Sequence, residues 1–382
     1  MKEWKIYKLS EIGQVIGGAT PSTKVASNYD GDIAWITPKD LSLLSGRYIY
    51  KGERSITEAG YKSCSCQMLP AGSILFSSRA PIGYIAIAGN ELCTNQGFKS
   101  VVPNTEIVNS HFLYYLLSYE KNRIAEMGSG TTFMEISGNV MKNIEVKLPH
   151  LSIQNKIAEI LTSLDEKIEN NQRINDNLEQ QASSLLSDWI STYPCRTYKL
   201  SDICKYADAK CETGNLTPQN YISTENMLPN KKGIVEASNI PTGKATCYKV
   251  DDVLIANIRP YFQKIWKADI NGGCSADVLC IRANIESHSP ILYWLLHQDA
   301  FFEYVMTGAK GCKMPRGDKQ HIMNWSIDLP EVQYWADLAT QLGSMDQQIA
   351  YNRIESINLS NLRDTLLPKL MSGELKINEI DC

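Results

Sequence analysis

The sequence contains the same unit twice, and this repeat restricts the fold more than any other feature. Residues 7–12 (YKLSEI) return as residues 198–203 (YKLSDI). Three more matches follow in the same order, at offsets of 179 to 181 residues: 72–75 with 252–255, 113–117 with 292–296, and 146–149 with 327–330. A repeat of this length indicates that the chain folds as two similar units within one polypeptide.

Each copy ends in a segment in which one position recurs every seven residues, a spacing typical of a coiled coil. The recurring residues form the predicted seam of a helix pair: Ile157, Leu164, Asn171, Leu178 and Leu185 in the first copy, and Leu338, Met345, Asn352, Leu359 and Leu366 in the second. No Pro or Gly interrupts residues 152–189, which predicts a helix of about 40 residues and about 60 Å. The second helix is predicted to run from about residue 331 until Pro368 stops it. Two such helices in one chain most simply pair with each other, and a polar Asn at the centre of each seam would fix their register.

The segments before these helices mix strand and helix signals. Strands are predicted at 74–76, 84–88, 98–102, 253–256 and 278–281, and amphipathic helices at 111–118 and 291–297. The fold class is therefore α+β, with two similar globular domains separated by two long helices that form an antiparallel coiled coil. The predicted limits are 1–150 and 194–330 for the globular domains, and 151–193 and 331–382 for the helical segments.

The charge is unevenly distributed along the chain. The 382 residues carry a formal net charge of -4, which at first argues against a nucleic-acid partner. Counted by segment, both globular domains are at +2 and both helical segments are at -4. The domains thus have a mildly basic balance that suits contact with phosphates. No run of 18 apolar residues and no secretory signal occur, which predicts a cytoplasmic protein with no membrane partner.

Catalytic signatures are missing from the sequence. We find no phosphate-binding loop, no dinucleotide fingerprint, no nucleophile elbow and no tetrapeptide of the N-P-P-[YF] or D-P-P-Y kind. The five histidines stand singly, and the one C-x-C pair, Cys64 and Cys66, favours reduced core thiols over a zinc site. The chain is predicted to be non-catalytic, without a metal or cofactor of its own. The enzymatic alternative is a nuclease or methyltransferase with an unrecognised site.

Two loops at corresponding places have chemistry suited to binding DNA. In the second copy, residues 308–321 carry four cations that can neutralise phosphates or bind a guanine edge: Lys310, Lys313, Arg316 and Lys319. In the first copy, residues 128–133 offer the hydroxyls of Thr131 and Thr132 among glycines. The alternative for both segments is a solvated surface loop.

Polar side chains also follow the central predicted strands. Residues 77–79 in the first copy are matched with residues 257–261 in the second, with Arg79 aligned to Arg259. Asn and Gln are the side chains that bind an adenine edge through two hydrogen bonds, and Arg does the same for guanine. The predicted DNA-binding residues at these places are Ser77, Ser78, Arg79, Asn95, Gln96, Asn257, Arg259 and Tyr261. The alternative is that such residues cap turns and hold loops.

Several motifs resemble one protein family. They are residues 17–22 (GGATPS), 35–41 (WITPKDL), 130–133 (GTTF) with 136–137 (IS), and 148–149 (LP) ahead of Gln154. With the two-copy layout, they resemble the DNA-specificity subunits of type I restriction-modification systems over essentially the whole chain. The second copy departs from the pattern, because residues 221–227 (YISTENM) replace the WIT motif and Trp335 stands in place of Gln154.

The resemblance implies a function for each part of the chain. Two target-recognition domains would each read one half of a split sequence in double-stranded DNA, and the divergence of the second copy implies an asymmetric target. The paired helices would set the spacing and dock methyltransferase subunits, two in number, which use S-adenosylmethionine. Restriction subunits, which use ATP and Mg²⁺, would join that assembly. The alternatives are a specificity subunit of a type IIB-like system and, outside the family, a coiled-coil adaptor that binds only protein.

Overall fold

The structure is a computed structural model that describes residues 4–79, 81–129 and 134–375. The chain divides into two compact units. Unit 1 comprises residues 1–171 and 355–382, and unit 2 comprises residues 172–354. Each unit therefore contains one copy of the repeat together with a part of both long helices.

Unit 1 is built on a five-stranded sheet with the strand order Gly13–Gly17, Lys99–Pro103, Ile74–Ser78, Ile82–Ala88 and Tyr48–Ile49. A three-stranded sheet has the order Arg54–Ile56, Tyr29–Ile36 and Cys93–Thr94, and Lys5–Lys8 pairs with Glu145–Leu148. The helices are Leu9–Ile12, Pro38–Ser42, Glu58–Lys62, Ser110–Glu126 and Gly138–Asn143. One face of the larger sheet packs on the helix Ser110–Glu126, with Ile74, Phe76 and Phe112 fully buried between them.

Unit 2 has two four-stranded sheets. The first has the order Cys204–Tyr206, Val278–Ala283, Val253–Ala256 and Ile265–Lys267, and the second has the order Lys210–Glu212, Lys244–Tyr248, Gly272–Cys274 and Tyr221–Ile222. Cys195–Lys199 pairs with Ser326–Pro330. The helices are Leu200–Ile203, Ser289–Leu296, Asp299–Thr307 and Lys319–Met323.

The two units share a topology. In each unit, the first strand, Lys5–Lys8 or Cys195–Lys199, pairs antiparallel with the last strand before the long helix, Glu145–Leu148 or Ser326–Pro330. The second strand, Gly13–Gly17 or Cys204–Tyr206, forms the edge of a sheet in which three equivalent strands follow in the same order. The predicted strands are confirmed, and the predicted helices are present as Ser110–Glu126 and Ser289–Leu296. The α+β class and the internal repeat are thus confirmed.

The two long helices are Leu151–Thr192 (long helix 1) and Trp335–Ser372 (long helix 2). They run antiparallel within each unit. In unit 1, Asp165 and Asn171 bond to Arg363 and Glu355. In unit 2, Asn175 and Trp189 bond to Asn352 and the Tyr334 carbonyl. Long helix 2 is expected to stop at Pro368, and this is wrong. The helix continues because Leu370 and Met371 are buried in the unit 1 core and hold the last turn in place.

The start of each long helix is fixed by an equivalent hydrogen bond. The Gln154 side chain donates to the Pro149 carbonyl at 2.9 Å, and the Trp335 indole donates to the Pro330 carbonyl at 2.8 Å. Gln154 also accepts from the Asn109 backbone amide. Two different side chains therefore satisfy the carbonyl of the proline that precedes each long helix. None of the helices in the described ranges has a segment long and apolar enough to span a membrane.

Candidate nucleic-acid interface

In unit 1 the predicted residues cluster where the strand Ile74–Ser78 ends. The Ser78 amide donates to the Gly97 carbonyl at 2.7 Å, and the Ile136 amide donates to the Ser78 carbonyl at 2.9 Å. These bonds join three loops into one group, which we call cluster 1: residues 77–79, 94–97 and 129–136, without the undescribed positions. Sequence segments that are far apart are therefore brought together as expected.

Ser77 and Ser78 have a supporting place in cluster 1. Both are fully buried. The Ser77 hydroxyl donates to the Pro81 carbonyl and accepts from the Tyr84 amide, each at 2.8 Å, while the Ser78 hydroxyl donates to the Gly97 carbonyl at 3.1 Å. Because these hydroxyls are enclosed and already bonded, they hold the loop rather than face a ligand.

Asn95 and Gln96 lie at the tip of a turn. The Asn95 side chain accepts from the Gly97 amide at 2.8 Å, which leaves its amide NH₂ group at a half-buried position. Gln96 is exposed and accepts from the Thr20 hydroxyl. Thr20 is absent from the predicted set, although the GGATPS motif contains it.

The GGATPS motif places Thr20 beside this turn. The Ala19 amide donates to the Thr94 carbonyl at 3.0 Å, and the Trp35 indole donates to the Ala19 carbonyl at 3.0 Å. At Gly18, a Cβ atom would lie only 2.0 Å from the Asn95 carbonyl oxygen, so only glycine allows this approach. The motif residues thus fix the backbone of the turn that carries Asn95 and Gln96.

Arg79 in cluster 1 and the adjacent Lys99 share one carboxylate, that of Glu135. Arg79 lies 3.9 Å and Lys99 lies 3.4 Å from Glu135. Thr131 and Thr132 lie outside the described residues. On either side of them, Ser129 and Glu135 exchange two backbone hydrogen bonds of 3.0 and 3.1 Å. Cluster 1 therefore offers amides and the partly neutralised Arg79.

Unit 2 has the same arrangement of backbone bonds. Lys310 and Arg316 exchange two backbone hydrogen bonds of 2.9 Å, as Ser129 and Glu135 do. The Asn257 amide donates to the Asp277 carbonyl at 2.8 Å, and the Gly317 amide donates to the Asn257 carbonyl at 3.2 Å. We call this group, residues 257–264, 275–277 and 310–319, cluster 2.

These bonds correct the predicted alignment of the two copies. Ser78 and Asn257 make the equivalent bonds, so Arg79 corresponds to Ile258 and not to Arg259. The sequence alignment followed the shared Arg, whereas the sheet register is set by inward-facing side chains such as Ile74 and Val253.

Two of the four predicted loop cations are ion-paired. Lys310 bonds to Asp318 at 2.6 Å, and Arg316 bonds to Asp277 at 3.1 Å. Both cations are more than half exposed, so such pairs are weak and exchange readily with phosphate. Hydrogen bonding from Lys310 and from backbone amides lowers the pKa of Asp318 to about 2.

The other predicted residues of unit 2 have distinct surroundings. Lys313 is exposed, and the Lys319 ammonium lies 5.6 Å from the centre of the Tyr206 ring. The Arg259 amide donates to the Pro315 carbonyl at 2.7 Å, while its Nε atom is buried without a hydrogen-bond partner. Tyr261 is 48% exposed, and the neighbouring Phe262, which the sequence prediction missed, is 39% exposed.

The predicted seam residues lie along the long helices with unequal burial. Ile157, Asn171, Leu338 and Asn352 are buried. Leu164, Leu178, Leu185, Met345, Leu359 and Leu366 are half-buried. Asp165, Asn175, Ala182, Leu186 and Trp189 are buried as well, so the buried stripe includes positions outside the seven-residue series. Across the described ranges, no three His, Cys, Asp or Glu side chains are grouped so that they could hold a metal ion.

Comparison with known proteins now identifies the family. The family model described as the type I restriction modification DNA specificity domain matches residues 1–180. The specificity subunit of the type I restriction enzyme MjaIX from Methanocaldococcus jannaschii is 32% identical, over 99% of this chain and 95% of the relative. The specificity subunit of EcoR124I/EcoR124II from Escherichia coli is 30% identical, over 43% of this chain and 41% of the relative.

A solved structure shares the fold. The crystal structure of the type I restriction-modification S subunit from M. genitalium superposes with a TM-score of 0.59, at 17% identity, over 96% of each chain. This likeness shows the fold, and the 32% identical relative shows that the chain belongs to the family of type I restriction enzyme specificity subunits.

Proposed function

We propose that this chain is the DNA-reading subunit of a type I restriction-modification complex, and that clusters 1 and 2 each read one half of an asymmetric, bipartite target. One observation carries the proposal: the two clusters are built on equivalent backbone bonds but present different side chains. A protein that reads two different half-sites needs this combination of a shared scaffold and divergent tips. Membership of the specificity-subunit family supports the same function.

The side chains divide into two roles at DNA. The cations Lys310, Lys313, Arg316 and Lys319 neutralise phosphates and position the unit. Asn95, Gln96, Arg79 and Tyr261 face base edges, where amides bind adenine and guanidinium groups bind guanine. Asn257 and Arg259 stay in the proposed set through the Asn257 NH₂ group and the terminal guanidinium nitrogens of Arg259, because the Asn257 Oδ1 and Arg259 Nε atoms are buried. Thr131 and Thr132 stay in the proposed set for the first half-site. Ser77 and Ser78 act only through the loop they hold.

The helix pair docks the methyltransferase subunits and sets the spacing between half-sites. Apolar side chains remain exposed on long helix 2, Ile357 and Leu362 in unit 1 and Tyr351 and Ile354 in unit 2. Exposed apolar side chains of this kind are typical of a protein interface. Two methyltransferase subunits then supply the S-adenosylmethionine chemistry, and restriction subunits supply the reactions that need ATP and Mg²⁺.

In this proposal the chain itself is non-catalytic and holds no cofactor. It acts in the cytoplasm, on double-stranded DNA. Its recognition domains span about 1–150 and 194–330, with the helical segments 151–193 and 331–382 between and after them. A type IIB-like complex would use the same chain in the same way, and the neighbouring genes separate the two systems.

The test is a map of methylated adenines in the host genome with and without the gene. We expect one asymmetric bipartite motif to lose methylation when the gene is removed. The reconstituted complex should then bind a duplex with that motif in preference to a scrambled one. Methylation that does not depend on the gene, together with no sequence preference, would favour the protein-only adaptor. Cutting or modification of DNA by the purified chain alone would favour the enzymatic alternative.

A further inference from the structure

We infer that Tyr261 and Phe262 form an aromatic tip that contacts the bases of duplex DNA through apolar interactions, in the way that apolar wedges contact a base step. The inference rests on the proposed function and adds to it a contact with bases that involves no charged side chain. The two rings lie side by side, with centroids 4.7 Å apart, and both are exposed beyond a third of their surface. Two adjacent exposed aromatic rings are costly to leave in water, and thus indicate a surface that becomes covered.

The tip differs from its unit 1 counterpart in conformation rather than in length. The two strand pairs share a register, because Ile74 pairs with Ile87 and Val253 pairs with Lys267. In unit 1 the pairing continues to Ser78 and Ile82. In unit 2 it ends where Ile255 pairs with Ile265, and residues 257–264 leave the sheet before the chain returns. Tyr261 and Phe262 lie in this segment.

The backbone of the tip is strained and firmly held. Arg259 and Gln263, on either side of the 3₁₀ turn Pro260–Phe262, have φ angles of 51° and 50°. The left-handed conformation is unfavourable for non-glycine residues, and it persists only where the surrounding structure enforces it. Four backbone bonds from other segments enforce them here: Arg259 to Pro315, Asn230 to Phe262, Lys231 to Gln263, and Ala256 to Lys264.

The surroundings of the tip favour DNA over an apolar protein partner. The Lys264 ammonium lies 6.0 Å from the Phe262 ring centre and donates to the Thr224 carbonyl. The neighbouring hairpin carries Lys310, Lys313 and Arg316. Three carboxylates nearby, Asp277, Asp299 and Asp318, are each paired with a cation. A fourth, Glu225, interacts electrostatically with Lys264 itself. An aromatic pair with cations around it fits bases flanked by phosphates.

The experiment uses the full chain in complex with its methyltransferase subunits and a duplex that carries the mapped motif. Binding is measured by fluorescence anisotropy at several salt concentrations for the double variant Tyr261→Ala/Phe262→Ala. We expect a loss of affinity of about 10-fold or more, because both aromatic side chains bury apolar surface against the bases. The slope of log K against log salt should stay unchanged, since no phosphate contact is lost.

Three controls separate this effect from misfolding. Val250→Ala removes an exposed apolar side chain that precedes the strand Val253–Ala256, away from cluster 2, and should leave affinity unchanged. Tyr261→Phe keeps both rings and should retain more affinity than the double variant. Thermal unfolding of all variants shows whether the fold is kept.

A second readout locates the contact. Duplexes with 2-aminopurine at successive positions of the motif should show, at one or two positions of a single half-site, a fluorescence change that the double variant abolishes. Unchanged affinity together with an unchanged fluorescence pattern would overturn the inference while the proposed function stands. Absence of sequence preference in the wild-type complex would instead overturn the proposed function.

Discussion

Clusters 1 and 2 show which parts of this architecture are fixed and which vary. Both rest on a strand-end residue, Ser78 or Asn257, that bonds to two equivalent neighbouring loops. In both, two residues exchange a pair of backbone bonds, Ser129 with Glu135 in cluster 1 and Lys310 with Arg316 in cluster 2. Cluster 1 presents the side-chain amides of Asn95 and Gln96, and the Glu135 carboxylate that Arg79 and Lys99 share. Cluster 2 adds exposed cations and an aromatic tip. The backbone bonds tolerate very different loops, so the side chains that face a ligand can change without altering the scaffold.

The two units also share an anchor, which is a carboxylate on each long helix that bonds to the globular domain. Asp165 and Asp346, 181 residues apart, are equivalent positions on the two long helices. The Tyr115 hydroxyl donates to Asp165 at 2.5 Å, and the Trp294 indole donates to Asp346 at 2.9 Å. Each carboxylate thus ties the central helix of a globular domain to a long helix. The cations that balance them differ.

In unit 1, arginines balance the anchor. Arg363 lies 2.6 Å and Arg47 lies 3.9 Å from Asp165, and Arg47, itself buried, also forms a forked pair with Glu169. In unit 2, Lys267 lies 2.6 Å from Asp346. Burial raises the pKa of Asp346 in spite of that lysine. The unit 1 anchor therefore has the richer set of charges.

The largest effect is expected from removing the anchors. Asp165→Ala removes the carboxylate that joins Tyr115, Arg363 and Arg47, although Glu169 and Asp364 still pair with the two arginines. Because three partners lose a bond at once, it should lower the free energy of unfolding by about 3 kcal/mol. Asp346→Ala leaves Lys267 with Asp251 at 3.0 Å and should cost less. Urea unfolding measures both. Lys39→Ala, in an exposed pair with Glu53, is the control and should cost under about 1 kcal/mol. Equal losses at the two anchors would contradict the difference between the units.

Charge removal in the clusters is expected to have the next largest effect. The variant with Lys310, Lys313, Arg316 and Lys319 all changed to Ala should weaken DNA binding and flatten its salt dependence, by about 0.9 in slope for each lost phosphate contact. Arg79→Ala in cluster 1 should change the slope by at most one contact. Anisotropy titrations of the complex at several salt concentrations measure both. If the fourfold variant keeps the wild-type slope, this hairpin is a solvated surface loop.

The smallest expected effect concerns pH. Burial, with Asp176 nearby, raises the pKa of Glu179 to about 7. A carboxyl with a raised pKa holds its proton more tightly in the folded state, so the free energy of unfolding should fall as pH rises from about 4.5 to about 7 and then level off. The equivalent position in unit 1 is Ser360, which does not titrate.

Glu179→Gln removes this titration and should stabilise unit 2 relative to the wild type increasingly between pH 5 and about 7. Hydrogen exchange of unit 2 peptides at several pH values is the measurement. The exposed Glu159→Gln on the same helix serves as the matched control. A wild-type profile that Glu179→Gln leaves unchanged would show that this carboxyl titrates normally.

The sequence predicts the scaffold well and the binding surface less well, for a physical reason. The repeat, the sheets and the two long helices follow from periodic apolar residues, which respond to burial over many positions. Ser77 and Ser78 were predicted to face DNA, but a hydroxyl at a strand end can face either way, and here a neighbouring carbonyl determines its direction. Pro368 was predicted to end its helix, but two buried side chains beyond it outweigh the missing bond.

The exchange of Gln154 for Trp335 at the two helix starts has an optical consequence. Trp335 lies 6.0 Å from Trp189 in a buried, edge-to-face pair, and five of the seven tryptophans lie in residues 172–354. Intrinsic emission from the chain therefore reports mainly on unit 2. Comparison of an emission-detected transition with a circular-dichroism transition, which reports on both units, can separate the unfolding of one half from that of the other without any added label.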